Sequence, residues 1–341
     1  MKFTRILSLV LALLMVAALF VACDEEPVEE TPDTEPTETT LNIITAGITD
    51  YVIVRDYNAA PEIIAAVNEI VQSIKLNIGA DIAVKECFSD REEASDIETE
   101  KEILVGMTNR QESIDALSGM RSQDWTISVH GSKLVIGGGG DDGTYVALTK
   151  FVNDIVAEQG NRFAVKQGEL QNLVYSTKNN INFTATYSYS SAHMLGVRID
   201  SFCLIRPKND DEVGTYAKFA EELSTYISTQ AGYDLGVYKS SRRVGDYEIL
   251  IGDCSGNPYR IDHGMCECEQ LGDDEYVIKL VKTTDNYNGD ETEANGGQLY
   301  ICFGKNARDA AFKAFTEQIM PATSSATTFT LEDGFVLTNK K

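Results

Sequence analysis

Thiols and an imidazole crowd one 15-residue stretch of the chain, where Cys254, His263, Cys266 and Cys268 lie together. Thiolates with an imidazole can make a tetrahedral zinc site, with bonds of about 2.0 to 2.3 Å. The pair Cys266 and Cys268 lacks the longer spacer that zinc sites use, and the competing chemistry is a disulfide, which suits an exported protein. Apart from Cys23 the chain has six cysteines, and six permit about 15 complete pairings, none selected by spacing alone. Cys203 and Cys302 fall inside predicted strands and read as buried thiols. Of these six, only Cys87 lies in the first half of the chain.

Other chemistry is thinner. Gly138 to Gly143 satisfies the spacing of a dinucleotide-binding turn, which works by aiming bare amides and a helix start at a pyrophosphate. Asp141 and Asp142 would repel that phosphate, so the run reads as a flexible turn. Asp273, Asp274 and Glu275 immediately precede a strand and read as a solvated turn. His130 reads as a hairpin-turn residue and His193 as a linker residue. No His-Glu-x-x-His or Gly-x-Ser-x-Gly segment occurs, so neither a zinc protease nor a serine hydrolase has a visible motif. Binding candidates are aromatic. Phe183, Ala185, Tyr187 and Tyr189 alternate with Thr184, Thr186, Ser188 and Ser190, a strand period with an aromatic face that can stack on sugars or pack between domains. Arg55 and Arg206 occupy matching positions of a repeat; each can pair with a nearby acid or receive an anionic sugar.

That repeat organises everything after the first 40 residues. Tyr51 to Arg55 recurs as Phe202 to Arg206, Gly79 to Val84 as Gly232 to Val237, and Glu102 to Gly106 as Glu248 to Gly252. Trp125 to Ile127 answers to Tyr276 to Ile278, Leu134 to Ile136 to Leu299 to Ile301, and Ala147 with Phe151 to Ala311 with Phe315. Phe163 to Gly168 aligns with Phe329 to Gly334. Tyr51 to Arg55 reads as a β-branched strand. Ile63, Ala66, Val67, Ile70, Val71 and Ile74 follow at helical spacing, with Pro61 near the start and Gly79 past the end. Two further strands cover Asp81–Lys85 and Ile103–Gly106, a hairpin turns at His130–Ser132, and a closing helix spans Gly143–Ala157. The second hairpin is longer and carries Asp285, Asp290, Glu291 and Glu293 in an acidic loop. The expected fold is therefore α/β: two tandem repeated domains, each a mixed sheet with a β-hairpin and helices packed on it. The boundaries are 41–176 and 197–341, joined by a linker strand over 177–196.

Tyr51 to Arg55, Glu102 to Gly106, the Trp125 to Gly137 hairpin and the closing helix, with their second-copy partners, resemble the non-catalytic α/β domain that precedes the barrel in family 20 β-hexosaminidases and in α-glucuronidases. The resemblance covers nearly all of residues 48–337. It implies a glycosidase-accessory role without a cofactor, since a barrel carrying the catalytic acids needs about 250 further residues.

The amino terminus places the protein. Lys2 and Arg5 precede an apolar run from Ile6 to Val21, and Phe20, Val21 and Ala22 lead into Cys23. This resembles a bacterial lipobox with Phe20 where Leu is usual, so residues 1–22 read as a lipoprotein signal peptide and Cys23 as the lipidated residue. The same run can be read as a transmembrane helix; both readings put the remainder outside the cytoplasm. Residues 23–40 form an acidic Pro/Thr tether reaching on the order of 50 Å. The formal net charge of −24 excludes nucleic acid and adhesion to anionic headgroups, both of which need basic patches. The expected partners are the membrane, through the lipid, and a polysaccharide or a glycan-active enzyme. The alternatives are a solute-binding lipoprotein of an importer, closing by a hinge, and a cryptic glycoside hydrolase.

Overall fold

The computed structural model describes residues 38–210, 214–241, 245–254, 268, 270–283 and 296–341. The leader, Cys23, most of the tether, His263, Cys266 and the acidic hairpin loop lie outside these residues. Among the described residues no helix is long and apolar enough to cross a membrane. Thr39–Lys341 forms one compact unit.

The first copy runs β1 (Thr40–Ile44), β2 (Val52–Asp56), α1 (Pro61–Asn77), β3 (Ala83–Cys87), β4 (Glu102–Val105), α2 (Gln111–Leu117), β5 (Trp125–His130), β6 (Lys133–Gly138), α3 (Asp141–Lys150), α4 (Arg162–Lys166), β7 (Leu173–Ser176) and β8 (Ile181–Phe183). The second runs β9 (Tyr189–Met194), β10 (Val197–Arg198), β11 (Phe202–Arg206), α5 (Thr215–Ala231), β12 (Val237–Lys239), β13 (Tyr247–Ile251), β14 (Tyr276–Thr283), β15 (Gly296–Phe303), α6 (Arg308–Ala314), β16 (Thr327–Leu331) and β17 (Val336–Thr338).

Each copy owns a six-stranded sheet, in the order β3-β2-β4-β6-β5-β8 and β12-β11-β13-β15-β14-β17. The two orders are the same once the copies are superposed by sequence, and so is the register: Ile53 faces Ile103 as Leu204 faces Ile249, and Ile127 faces Ile136 as Ile278 faces Ile301. Four adjacent strands of each sheet pair in parallel, and β5 or β14 then pairs antiparallel with the neighbour on either side of it. A central parallel strand must be apolar on both faces because helices cover both, and β4 is buried along its whole length.

Helical periodicity puts Ile63, Val67, Ile70 and Ile74 of α1 on one face of the first sheet, where they meet Ile53, Ile103, Ile127 and Ile136. The opposite face carries Val54, Leu104 and Val135 against Leu117 of α2. Burial of an aliphatic side chain of this size contributes about 1.5–3 kcal/mol, so the stripe on α1 is the main force holding it. The expected closing helix is present but not regular. After α3 the chain widens into a π-helical turn at Phe151–Val156, and after α6 it does the same at Phe315–Ile319. Both wide turns begin at the fully buried aromatic of the repeat, Phe151 or Phe315.

Two expectations fail locally. Phe163 to Gly168 is not the structural counterpart of Phe329 to Gly334: Asn161 caps α4 by accepting hydrogen bonds from the amides of Phe163 and Ala164, whereas Phe329 lies buried in β16. The linker is not one continuous strand either. β8 pairs with β5 of the first sheet, and β9 pairs with β16 beside the second. Between them the Ala185 amide donates to Asp124 Oδ1 at 2.8 Å instead of to a neighbouring strand.

Candidate functional site

In an open α/β sheet, ligands collect where successive crossovers leave the same strand in opposite directions, beyond the carboxyl ends of the strands. The first sheet has that point at β2: α1 carries the chain to β3 on one side, and β4 lies on the other. A cleft of about 360 Å³ opens there, lined among others by Asp56, Asn58, Ile63, Gly106, Gly140 and Asp141. Asp56 ends β2 and is fixed by two amides, accepting from Asn58 N at 2.7 Å and Ser89 N at 3.1 Å. Asp141 opens α3. Desolvation raises its carboxyl above the ordinary aspartate range, and the charges of Glu62, Asp234 and Asp142 raise it further.

The glycine run is neither a flexible turn nor a phosphate cradle. The Gly138 amide donates to Thr144 Oγ1 at 3.0 Å, and the Gly139 amide to the Asp124 carbonyl at 3.1 Å. A β-carbon at Gly139 would collide with the carbonyl oxygens of Arg121 and Met120, and one at Gly140 with the Asp234 carboxylate. The glycines are there so that the 120–124 loop and the second copy can lie directly on the backbone.

The same point in the second copy is filled. Strand register puts Phe303 where the first copy has Gly138. The left-handed glycines that end the long helices, Gly79 and Gly232, align Ile63 with Tyr216. The Tyr216 and Phe303 rings lie 5.2 Å apart, and Phe219 stacks on Phe303 at 5.1 Å. Tyr216 covers Gly252, the counterpart of Gly106, so closely that a β-carbon there would fall on its ring.

Most residues singled out in the sequence serve structure. Arg55 donates to the Asp56 carbonyl at 2.9 Å and to Glu86 at 2.6 Å, and Arg206 donates to the Asp210 carbonyl at 3.0 Å. Neither enters the cleft lining. Phe183 is partly exposed and stacks on Trp125, with centroids 5.6 Å apart. Tyr187 and Tyr189 do not present an aromatic face to solvent, because both are buried, Tyr187 at the junction of the copies and Tyr189 in the core of the second. Tyr187 donates to Asp124 at 3.3 Å and accepts from Gln123 N at 3.0 Å, beneath the Arg121 guanidinium at 3.8 Å; Tyr189 donates to the Pro321 carbonyl at 2.5 Å. Arg121 also donates to the Tyr189 carbonyl at 2.8 Å, and Ser122 N donates to the Gly232 carbonyl at 3.0 Å. The junction is therefore knit by short polar contacts.

Of the cysteine cluster, Cys254 and Cys268 lie among the described residues. Cys268 is disulfide-bonded to Cys302, so Cys302 is not a lone buried thiol and Cys268 is not a thiolate ligand. Cys254 is buried, with its thiol against the carbonyls of Ile205 and Ile251 at 3.6 and 3.5 Å. Among the described residues no group of three or more potential ligands is placed to hold a metal. The bond closes a sequence separation of 34 residues, and its reduction is expected to lower the unfolding free energy by about 2–4 kcal/mol by releasing the unfolded chain. Urea unfolding with and without reductant measures this; coincident midpoints would show that the crosslink adds nothing.

The aromatic filling of one copy and the vacancy of the other could have been noticed by extending the repeat alignment through Ile63 and Tyr216. Asp141 was visible in the sequence only as an obstacle to phosphate in the glycine run and Asp56 carried no local signal, since their proximity to one cleft is a product of strand order. No protein-family model and no curated protein matches the chain. Among solved structures it is similar to a family GH115 4-O-methyl-α-glucuronidase with specificity for decorated arabinogalactans, at 9% identity and a TM-score of 0.28, over 63% of this chain and 26% of that one.

Proposed function

We propose that the chain is a non-catalytic, lipid-anchored extracytoplasmic protein that binds carbohydrate in the cleft of its first copy. One observation carries this reading: the same crevice, built twice on sheets of the same register, is packed with rings in the second copy and left open in the first. A crevice without a ligand gains from being filled, as Tyr216 and Phe303 fill theirs. The open one offers carboxylate and amide groups from Asp56, Asn58 and Asp141, and its lining includes no lysine or arginine. Such a surface takes hydroxyl and ammonium donors and repels carboxylates and phosphates. Lipidation at Cys23 and the acidic tether would hold the cleft away from the membrane surface.

The importer reading needs lobes that rotate against each other. The contacts of Arg121, Ser122 and Tyr187 across the junction favour a fixed pair instead.

The test is a glycan screen with the full chain purified in detergent, in parallel with Ile63→Tyr. That substitution copies the second crevice into the first and is expected to weaken glycan binding by at least tenfold while the protein still folds. Unchanged binding in Ile63→Tyr would remove the cleft from the reading. Turnover of an aryl-glycoside would reassign the carboxylates to hydrolysis, and glycan silence with capture of a glycan-active enzyme would leave docking.

A further inference from the structure

Next in sequence to the cleft carboxylate of Asp56, the first copy carries a stacked pair of aromatic rings. Tyr57 follows Asp56 directly and is 50% exposed. Its ring stacks on Phe88 with centroids 5.3 Å apart and planes inclined by 26°. The Arg91 guanidinium lies 4.5 Å from the Phe88 centroid and 5.4 Å from that of Tyr57. Arg91 is itself paired with Asp90 at 3.3 Å, so its charge is already answered within the loop.

The loop that carries these rings is held by more than a surface loop requires. Tyr57 N donates to the Cys87 carbonyl at 2.8 Å, and Ser89 N donates to Asp56 Oδ2 at 3.1 Å, which ties the two ring-bearing segments to the cleft carboxylate. Phe88 N donates to Asp96 Oδ2 at 3.1 Å, and the Phe88 carbonyl accepts from Asn109 at 3.3 Å. Asp96 is in turn paired with Arg110 at 2.7 Å, with 4% and 5% of the two side chains exposed. Buried ion pairs contribute little net stability, because desolvation offsets their attraction. Here the pair sets the place of a half-buried phenyl ring. The second copy has Lys208 and Ser241 at the matching positions, as the pairings of Arg55 with Glu86 and of Arg206 with Lys239 establish. The platform and the open cleft thus belong to the same copy, and the copy with the filled crevice lacks both.

We infer that Tyr57 and Phe88 form a stacking subsite for a pyranose ring, which extends the cleft and selects carboxylate-free sugar chains. This rests on the carbohydrate reading of the cleft. A sugar presents a face of C–H groups to an aromatic ring and hydroxyls at its rim. Asp56 and Asn58, which flank Tyr57 in sequence and line the cleft, stand where those hydroxyls need acceptors and donors. A platform already fixed by its neighbours loses little entropy when it receives a ring. Uronic acids would meet Asp56 and Asp141 and be repelled.

The experiment is calorimetric titration of the full chain in detergent with cellohexaose, mannohexaose, chitohexaose, chitosan hexamer and hexagalacturonate, repeated on Tyr57→Ala, Tyr57→Trp and Ile63→Tyr. At least one neutral or cationic hexamer is expected to bind, with hexagalacturonate at least tenfold weaker. Tyr57→Ala is expected to lose about tenfold or more in affinity with an unchanged melting temperature, and Tyr57→Trp to retain binding. Equal affinity of Tyr57→Ala and the parent, with binding lost in Ile63→Tyr, overturns the platform and leaves the cleft. Loss in Tyr57→Ala with full binding in Ile63→Tyr supports the platform and overturns the cleft. No binding of any hexamer by the parent overturns both, and hexagalacturonate binding best overturns the selectivity.

Discussion

Glu102→Ala is expected to destabilise the first copy by about 3 kcal/mol, because it takes the fully buried carboxylate from between two buried cations and leaves Arg110 to Asp96 and Lys133 to Glu98 and Glu112. Glu102 opens β4, fully buried, and accepts from Arg110 Nε at 3.2 Å and from the Thr99 amide at 2.9 Å, with Lys133 Nζ at 3.4 Å. Arg110 and Lys133 are themselves almost wholly buried. Removing the carboxylate leaves their charges without the group around which both are arranged, and the loop of residues 88–100 loses its footing. Trp125, the one tryptophan of the chain, lies in β5 of the same copy, so its fluorescence during denaturation reads this unfolding directly. Glu102→Gln keeps the shape and the Thr99 contact and should fall between the two. A denaturation midpoint for Glu102→Ala within error of the parent would show that the network is ornamental.

The same network predicts an acid limb. Burial pushes the Asp96 carboxyl up, but hydrogen bonds from Arg110, Asn109 and the Phe88 amide overrule it and hold the carboxyl below the ordinary aspartate range. A depressed folded value means that the ionised form is favoured by folding. The contribution is complete above the unfolded value, about 4, and disappears as pH falls through the folded one. Asp96→Asn should therefore be less stable than the parent at neutral pH and lose less on acidification.

Gly139→Ala should be nearly as damaging, at about 3 kcal/mol, through overpacking against backbone that has no rotamer to yield. Its new methyl group would occupy the space of the Arg121 and Met120 carbonyls. That loop also makes the junction, since Ser122 bonds to Gly232 and, hydroxyl to hydroxyl at 2.8 Å, to Ser228. A shift of the loop should expose residues 184–188 to protease and extend the particle in solution scattering. Proteolysis at the parental rate would show that the loop can retreat without parting the copies.

The duplication was legible because strand pairing preserves spacing. A block such as Glu102 to Gly106 must keep its alternation to stay in register with its neighbours, and its second copy did. Phe163 to Gly168 misled because an aromatic and an aliphatic two apart suit either a strand or one turn of helix. The decision was made outside the block, by the Asn161 cap. The aromatic alternation of Tyr187 and Tyr189 was real as a pattern, but Tyr187 finds its partners in the 121–124 loop while Tyr189 opens β9 against Phe329 of β16, so both rings turned inward. The cleft was beyond sequence reading for a different reason. Volume is set by what a neighbouring element leaves unfilled, and Ile63 against Gly138 means nothing until topology brings the two together.

The short ladder of β1 with β7 has a genetic consequence. Thr40 lies opposite Ser176, and the Thr177 amide donates to the Thr39 carbonyl at 2.9 Å, so the chain enters the first copy beside the point from which it passes to that copy's last strand, β8. A module whose entrance and exit lie near each other can be inserted, multiplied or excised within a gene without forcing its neighbours apart. The first copy is in this sense suited to tandem growth, and in a duplicated pair one version can be packed solid while its sibling keeps the opening.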